Sequence, residues 1–311
     1  MTTSDLRSTG APDRANNWYR WGVDDERGAL NLLGPDTVRR AAAAITSGRV
    51  YSLGIPIQSR DVPLIEYRGT PMRLTLQDST DEGTAPPEFG CAPGTGSHED
   101  VLIMASHTTS HMDALIHVYH EYQHYNGTGY QAMQATAGAT KLGIDKVGAV
   151  AARGVLLDMV GYFGCAEDWI TPGRVLTAND LQGAARKQSV EIGAGDAVLI
   201  RTGYLQYWLE NRPGPEAIGQ PGIGLDAASW LAAQDVVLVG SDNAAVEVIP
   251  FDRGDFLGVH KTLLVDHGIY LIEYLDLAAP ARAGDYLGLF TVGPLKVTGA
   301  TGSPVNPIFV T

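Results

Sequence analysis

Short apolar runs rich in β-branched side chains recur along the chain after residue 100. Their length suits β-strands and falls far short of a membrane span. The strands predicted from these runs are Val101–Met104, Val155–Leu157, Val198–Ile200, Val236–Val239, Ile269–Ile272 and Leu289–Val292. A further strand is predicted earlier, at Arg49–Leu53.

Helical patterns separate some of these strands. The segment Gly34–Ile45 has Pro35 and Asp36 near its start and four alanines inside it, and Ser47-Gly48 follow. Further helices are predicted at Thr177–Lys187 and Asp226–Ala233. Because helices alternate with strands irregularly, the pattern predicts an α/β fold with a mixed sheet.

The same pattern predicts one domain with a short tail. Residues 1–16 are polar, with Gly10 and Pro12, and are expected to form a flexible N-terminal tail. Residues 17–311 contain neither a repeat nor a linker, and we expect them to form a single domain. Residues 78–100 are rich in Gly, Pro, Thr and acidic side chains, which predicts a long loop of the kind that often carries function.

Composition narrows the class of protein. The chain is 44% hydrophobic and 18% charged, which is typical of a globular protein. A net charge of −13 without any Lys/Arg run argues against nucleic-acid partners. The first residues resemble no signal peptide, so a cytoplasmic location away from membranes is expected. Cys91 and Cys165 are too few for a disulfide framework or a cysteine-based zinc site.

Six of the eight histidines fall within 27 consecutive residues. His107 is expected to end a strand, and His111, Asp113 and His117 follow at short spacings. If Asp113 opens a helix, it and His117 share one face of that helix. Two imidazoles and a carboxylate suit Zn²⁺, Mn²⁺ or Fe²⁺ and leave positions open for water and substrate. The alternative, scattered core or surface histidines, would bury the carboxylate without a compensating cation.

The remaining histidines of this region have polar neighbours. His98 lies in the predicted long loop, and His120 and His124 lie in the polar segment that follows His117. We expect all three to be solvated residues or residues at the rim of the site.

A second group of candidates lies far along the chain. His260 would begin a short helix that ends at Gly268, and Glu273 lies within the apolar strand that follows. A carboxylate in such a strand is costly unless a metal or a cation compensates it, although Glu273 could also pair with an Arg or face solvent. Asp242, at the end of a predicted strand, could line a pocket or cap a turn.

The combined pattern resembles a known family. The spacing His107-x3-His111-x-Asp113-Ala-x2-His117 is similar to the signature of the cyclase-like metal-dependent hydrolases, which include bacterial kynurenine formamidase and isatin hydrolase. Further matching blocks are Trp21–Asn31, Asp113–Val118 with Tyr125–Gly127, Gly195–Gly203 and His260–Glu273. The resemblance implies one α/β domain of swivelling β/β/α type, with a mixed, partly barrel-like sheet flanked by helices. It also implies a homodimer or homotetramer.

The resemblance assigns roles to particular residues. The expected ligands of one or two zinc or manganese ions are His107, His111, Asp113, His260 and Glu273. The first three would bind one ion, and Asp113 and Glu273 would bridge to a second ion held by His260. His117 would donate and accept the proton.

Some positions depart from the formamidase pattern. Thr109 and Ser110 replace Gly-Thr before the second histidine, and Leu115 replaces a proline. The ligands survive, so metal binding is expected to persist. No counterpart of the formamidase pocket tryptophan occurs around residues 51–66, which argues against kynurenine-type substrates. Trp21, Tyr125 and Asn126 could line a pocket or serve packing.

The predicted function is hydrolysis of an amide, lactam, lactone or ester bond in a small cyclic or aryl substrate by metal-activated water. One alternative is a dehydratase or cyclase of the same family. Another is a non-haem iron oxygenase that uses His111, Asp113 and His260 as a facial triad. A non-catalytic metal-binding protein is a third, but it would have no use for the proton shuttle His117.

Overall fold

The computed structural model of the protein describes residues 16–81, 90, 94–213 and 219–311. The strands are β1 (Val50–Ser52), β2 (Met72–Gln77), β3 (Glu99–Ile103), β4 (His111–Asp113), β5 (Met133–Gln134), β6 (Gly138–Ala139), β7 (Val150–Asp158), β8 (Val175–Leu176), β9 (Asp196–Arg201), β10 (Gly222–Ile223), β11 (Leu238–Ser241), β12 (Tyr270–Glu273), β13 (Leu287–Val292), β14 (Gly302–Pro304) and β15 (Ile308–Val310). The helices are α1 (Pro35–Ala42), α2 (Met159–Phe163), α3 (Ala178–Gln188), α4 (Tyr204–Asn211), α5 (Leu225–Ala233), α6 (Gly258–His260), which continues as a π-helix at Lys261–Asp266, and α7 (Ala278–Ala283). Single 3-10 turns lie at Gly28–Leu32, Glu66–Arg68, Ser79–Asp81, Tyr125–Gly127, Tyr130–Ala132, Ile144–Lys146 and Asp252–Gly254.

One curled, nine-stranded sheet organises the molecule. Its strand order is β1-β15-β13-β7-β9-β11-β12-β4-β14. The four central strands β7, β9, β11 and β12 are parallel, and the strands on both flanks pair antiparallel. This arrangement confirms the predicted α/β class with a mixed, partly barrel-like sheet flanked by helices.

The apolar patterning explains the layers. Every residue of β9, β11 and β12 is buried, as expected for parallel strands that are covered on both faces. The antiparallel strand β13 alternates between half-buried and buried positions, because only one of its faces packs on the core. Helix α1 packs on β7 and β13, α3 packs on β7, and α5 packs on the π-helix.

The predicted helices are present, with small shifts of their ends. Thr177 caps α3: its side chain accepts a hydrogen bond from the Asp180 backbone N–H, and the Asp180 carboxylate accepts one from the Thr177 backbone N–H. Pro35 occupies the first turn of α1, where its missing N–H costs nothing. Helix α1 ends at Ala42, three residues before the predicted end at Ile45.

The strand predicted at Val101–Met104 lies outside the main sheet. It belongs to β3, which among the described strands pairs only with β2 in a two-stranded hairpin, with Met72 opposite Ile103. Leu74 and Leu102 of this hairpin are about half exposed. The prediction of a long loop at residues 78–100 is therefore wrong at its end, where β3 begins, and residues 82–89 and 91–93 lie outside the described residues.

Two other predictions concern residues beyond the description. The expected N-terminal tail lies outside the described residues except for Asn16, and so does Cys91. Cys165 is a free, half-buried thiol. In the described part of the chain, no helix combines the length and apolar character that crossing a bilayer requires.

Candidate metal centre

The pairing of β4 with β12 brings together segments that are more than 150 residues apart in sequence. His111 lies opposite Glu273, and Met112 lies opposite Ile272. Side chains two residues apart on a strand point to the same face, so His111 and Asp113 face one side while Met112 is buried on the other. This register directs three polar side chains into one buried space.

Two turns complete this group of side chains. His107 lies in a turn between β3 and β4, where the Thr108 hydroxyl donates to the Ala105 carbonyl at 2.8 Å. His117 lies in the turn after β4, where its backbone N–H donates to the Ala114 carbonyl at 2.9 Å. The rings of His107 and His117 stack with their centroids 4.0 Å apart.

Two details of the sequence prediction are wrong here. Asp113 ends a strand and opens no helix, and β3 stops at Ile103, four residues before His107. The side chains nevertheless meet because tight turns, rather than a helical face, set their directions. A glycine is needed at position 302 of β14, since a Cβ there would lie 2.5 Å from His107 Cε1.

The five expected ligands and His117 form one continuous cluster around Asp113. The shortest contacts are 2.8 Å from His107 Nδ1 to Asp113 Oδ1, 3.7 Å from His111 Nε2 to Asp113 Oδ1, 3.1 Å from His111 Nε2 to Glu273 Oε2, 3.7 Å from His260 Nε2 to Asp113 Oδ2, and 3.4 Å from His260 Nε2 to Glu273 Oε1. Two sets of three could each hold an ion, because their ligand atoms lie within 4.8 Å of one another: His107, Asp113 and His117, and Asp113, His260 and Glu273. Asp113 belongs to both sets.

The inward-facing atoms lack other partners. Among the described residues, no hydrogen bond satisfies His107 Nδ1, His111 Nε2, Glu273 Oε2 or either carboxylate oxygen of Asp113. Asp113 is fully buried and Glu273 is 3% exposed. Buried carboxylates without partners are costly, and a divalent cation removes that cost. The donor set of imidazole nitrogens and carboxylate oxygens fits zinc or manganese.

The outward-facing nitrogens of three histidines are all held. His107 Nε2 lies 3.0 Å from the Thr301 hydroxyl, and His111 Nδ1 donates to the Thr109 carbonyl at 2.5 Å. His260 Nδ1 lies 2.5 Å from Glu247 Oε1. Such contacts fix the ring and leave the other nitrogen free to bind a cation.

Glu247 and Thr301 were not predicted from the sequence. Glu247 stands in an apolar stretch, Ala244–Ile249, so the argument that singled out Glu273 would also have found it. Nothing in the sequence distinguishes Thr301, because its role depends on the packing of β14 beside β4.

The electrostatics of the cluster suit a bound cation. Burial opposes a charge on His260, but the hydrogen bond to Glu247 and the nearby Glu273 carboxylate raise its pKa to about 10. Burial also works against ionised Asp113, yet His117 and His107 hold its pKa well below the usual range. The Glu273 carboxylate also raises the pKa of His111 against the effect of burial. In the ion-free protein, protons on His111 and His260 therefore balance the carboxylates, and a bound cation would replace them.

His117 differs from the expected ligands. Burial lowers its pKa to about 4, against the attraction of Asp113. Its ring is therefore neutral near pH 7 and able to accept a proton. His117 is also half-buried, whereas the five expected ligands are buried.

Comparison with known proteins places the chain in a family. Residues 51–248, nearly two thirds of the chain, match the sequence profile of the Cyclase family, described as "Putative cyclase". The protein belongs to the cyclase family. The family profile thus includes the first histidine cluster and ends before His260 and Glu273.

Solved structures share the fold of this cyclase-family chain. One described as a novel cyclase is 34% identical, with a TM-score of 0.84, and the match covers 95% of this chain and 97% of that one. Isatin hydrolase A from Labrenzia aggregata, bound to benzyl benzoate, is 18% identical with a TM-score of 0.57, covering 85% and 94%. A "predicted metal-dependent hydrolase" from Bacillus stearothermophilus is 21% identical with a TM-score of 0.51, covering 84% and 97%. A search of curated proteins gave no match.

Two other residues that the sequence analysis considered for the site, Asp242 and His124, make structural contacts elsewhere in this cyclase-family chain. Asp242 accepts hydrogen bonds from the Thr202 backbone and hydroxyl and from the Gly203 backbone, so it holds the turn after β9. His124 was expected at the rim but is 2% exposed, and its Nδ1 donates to the Val118 carbonyl at 3.0 Å. Glu121 and Tyr122, in left-handed conformations, reverse the chain before it.

The remaining candidates divide between surface and packing roles. His98 and His120 are exposed, as expected. The Tyr125 hydroxyl donates to Asp25 at 2.9 Å, and Asn126 bonds to the backbone of the N-terminal segment. Trp21 packs partly buried against the core.

Proposed function

We propose that the protein is a metal-dependent hydrolase that cleaves an amide, lactam, lactone or ester bond of a small cyclic or aryl substrate. The observation that carries the proposal is the set of buried ligand atoms around Asp113 that face one another without a further hydrogen-bond partner, with neutral His117 beside them. Family membership supports it, since related folds include hydrolases by name.

The residues that would hold the ions are those of the cluster. We assign His107, His111 and Asp113 to one ion and Asp113, His260 and Glu273 to a second. His117 also lies close enough to His107 and Asp113 to complete a set of three, but we assign this half-buried, neutral ring to proton transfer. Zinc and manganese both suit these donors. A divalent cation here supplies a water activated for attack and a positive charge that polarises the substrate carbonyl.

His117 is the proposed proton shuttle. Its neutral ring can take a proton from the attacking water and return it to the leaving nitrogen or oxygen. Its stacking on His107 holds it within reach of the proposed ion site, and its partial exposure leaves one side available to a substrate.

Two alternatives use the same residues. An iron oxygenase with His111, Asp113 and His260 would leave Glu273 unused, although Glu273 contacts both histidines at 3.1 and 3.4 Å. A dehydratase or cyclase of the same family would need the same ions and the same shuttle. The product separates them, because hydrolysis adds one water to the substrate mass.

We also propose that the protein works in the cytoplasm on a small molecule, without nucleic-acid or membrane partners, as a homodimer or homotetramer. The apolar face of the β2–β3 hairpin supports self-association, since Met72, Leu74 and Ile103 are about half exposed on one side of it. Analytical ultracentrifugation of the protein and of Leu74→Glu tests this part.

The central experiment compares His117→Ala with the wild type after loading with Zn²⁺ or Mn²⁺. A screen of cyclic amides and lactones first identifies a substrate that the wild type hydrolyses. We expect His117→Ala to keep its bound metal and to lose turnover by about a hundred- to ten-thousandfold, the usual contribution of a positioned acid–base group. Full activity in metal-stripped wild-type protein would refute the proposal.

A further inference from the structure

Glu247 is a buried carboxylate that contacts one proposed ligand and faces no ion itself. It is 2% exposed and lies between β11 and α6. Its Oε1 lies 2.5 Å from His260 Nδ1, and its Oε2 accepts the Val259 backbone N–H at 3.2 Å. It therefore holds both the ring of His260 and the helix turn that carries this ring.

The backbone around Glu247 is strained and firmly held. Val246, immediately before it, has a φ of 59°, which is a rare conformation for a β-branched residue. The Asn243 side chain accepts the Val246 backbone N–H at 2.7 Å, and the Gln220 side chain donates to the Glu247 carbonyl at 2.9 Å. Such strain persists only where the surroundings enforce it.

A second left-handed residue lies on the other side of this contact. Leu257 has a φ of 54° and stands at the start of α6, three residues before His260. Strained backbone therefore lies just before each residue of the Glu247–His260 contact. This places Glu247 and His260 in one fixed relative orientation.

We propose that Glu247 is the positioning residue of the second ion position, formed by Asp113, His260 and Glu273. Glu247 accepts a hydrogen bond from the N–H at His260 Nδ1, and this contact directs Nε2 of the same ring towards Asp113 and Glu273. The corresponding contacts of His107 and His111 are to a hydroxyl and a carbonyl, so only this position has an anionic partner behind its histidine. This role rests on the proposed metal site, and Glu247 would act on the ion only through His260.

The test compares Glu247→Ala and Glu247→Gln with the wild type. Chelator competition with Zn²⁺ and with Co²⁺, whose absorption reports each ligand set, measures the two binding constants. We expect Glu247→Ala to weaken binding of the second ion, at Asp113, His260 and Glu273, by about 10- to 100-fold and to leave binding of the first ion unchanged. Glu247→Gln keeps an acceptor for the N–H at Nδ1, so it should recover part of the lost affinity. Asp242→Asn is the matched control, because it alters another buried carboxylate only five residues away.

Crystal structures of the ion-free proteins give an independent readout. We expect the His260 ring to turn away from Asp113 in Glu247→Ala and to keep its orientation in Glu247→Gln and Asp242→Asn. Unchanged binding constants together with an unchanged ring would overturn the positioning role. If the wild type itself bound no ion, the proposed function would fail, and the orientation of the ring alone would decide the role of Glu247.

Discussion

The two halves of the proposed metal centre are built differently on either side of Asp113. His107 and His111 come from one short segment, a turn followed by β4, and neutral groups hold their outer nitrogens. His260 and Glu273 come from α6 and β12, and a buried carboxylate holds His260. An anionic partner makes an imidazole a stronger ligand than a neutral partner does. Ion binding in the second half should therefore depend more on charge. Ion binding in the first half should depend more on the shape of the turn and strand that hold its histidines.

The largest effect is expected at the residue that both halves share. Asp113→Asn keeps the shape of the side chain but removes the charge that both ions need. We expect both ions to be lost and turnover to fall to the level of the metal-stripped wild-type protein. Metal analysis of the purified variant measures this directly, and a variant that retained two ions would show that Asp113 is no ligand.

The next largest effect is expected from variants that each disrupt ion binding in one half of the centre. His111→Ala and His260→Ala each remove an imidazole from one side of Asp113. We expect each variant to hold about one ion where the wild type holds two, with activity lost in both. Loss of both ions in both variants would mean that the halves bind as a single unit, and the comparison between them would then be wrong.

An effect of intermediate size is expected from the pH dependence of ion binding in the second half. The pKa of His260 is raised to about 10 in the ion-free protein, so this ring carries a proton near neutral pH and must lose it to bind an ion. Lower pH therefore weakens binding, and the affinity of the second ion should rise by about tenfold per pH unit between pH 7 and 9. Titration calorimetry in buffers of different ionisation enthalpy counts the released protons, and no release would contradict this account.

The smallest effect on ion binding is expected at Thr301, whose hydroxyl contacts the outward-facing nitrogen of His107. Thr301→Val keeps the volume of the side chain but removes the hydroxyl beside His107 Nε2. Loss of one hydrogen bond of about 1 kcal/mol should weaken the first ion by roughly fivefold and leave the second unchanged. Chelator competition measures both constants, and a larger change in the second ion would reverse the assignment of Thr301.

Local sequence was sufficient to predict that the residues of the first half of the candidate site lie close together. His107, His111, Asp113 and His117 lie within eleven residues, so their proximity did not require knowledge of the fold. The supposed helix after Asp113 was wrong because the buried residues Ala114, Leu115 and Ile116 form a tight turn instead.

The family resemblance had named His260 and Glu273 in advance, but how they meet the first half depends on the tertiary structure. The sequence marked Glu273 as a costly buried carboxylate, but its position opposite His111 depends on the antiparallel pairing of β4 with β12. That register is a long-range property, and periodicity within one strand does not encode its partner. The inward turn of His124 escaped prediction for a similar reason, since the left-handed residues before it determine its direction.

The proposed two-ion centre is tested most directly by anomalous diffraction from crystals grown with Zn²⁺ or Mn²⁺. We expect two anomalous peaks that share Asp113, one bound by His107 and His111 and the other by His260 and Glu273, with ligand distances of about 2.0–2.2 Å. Crystals in which the cluster shows no peak, or in which the ions bind elsewhere, would contradict it.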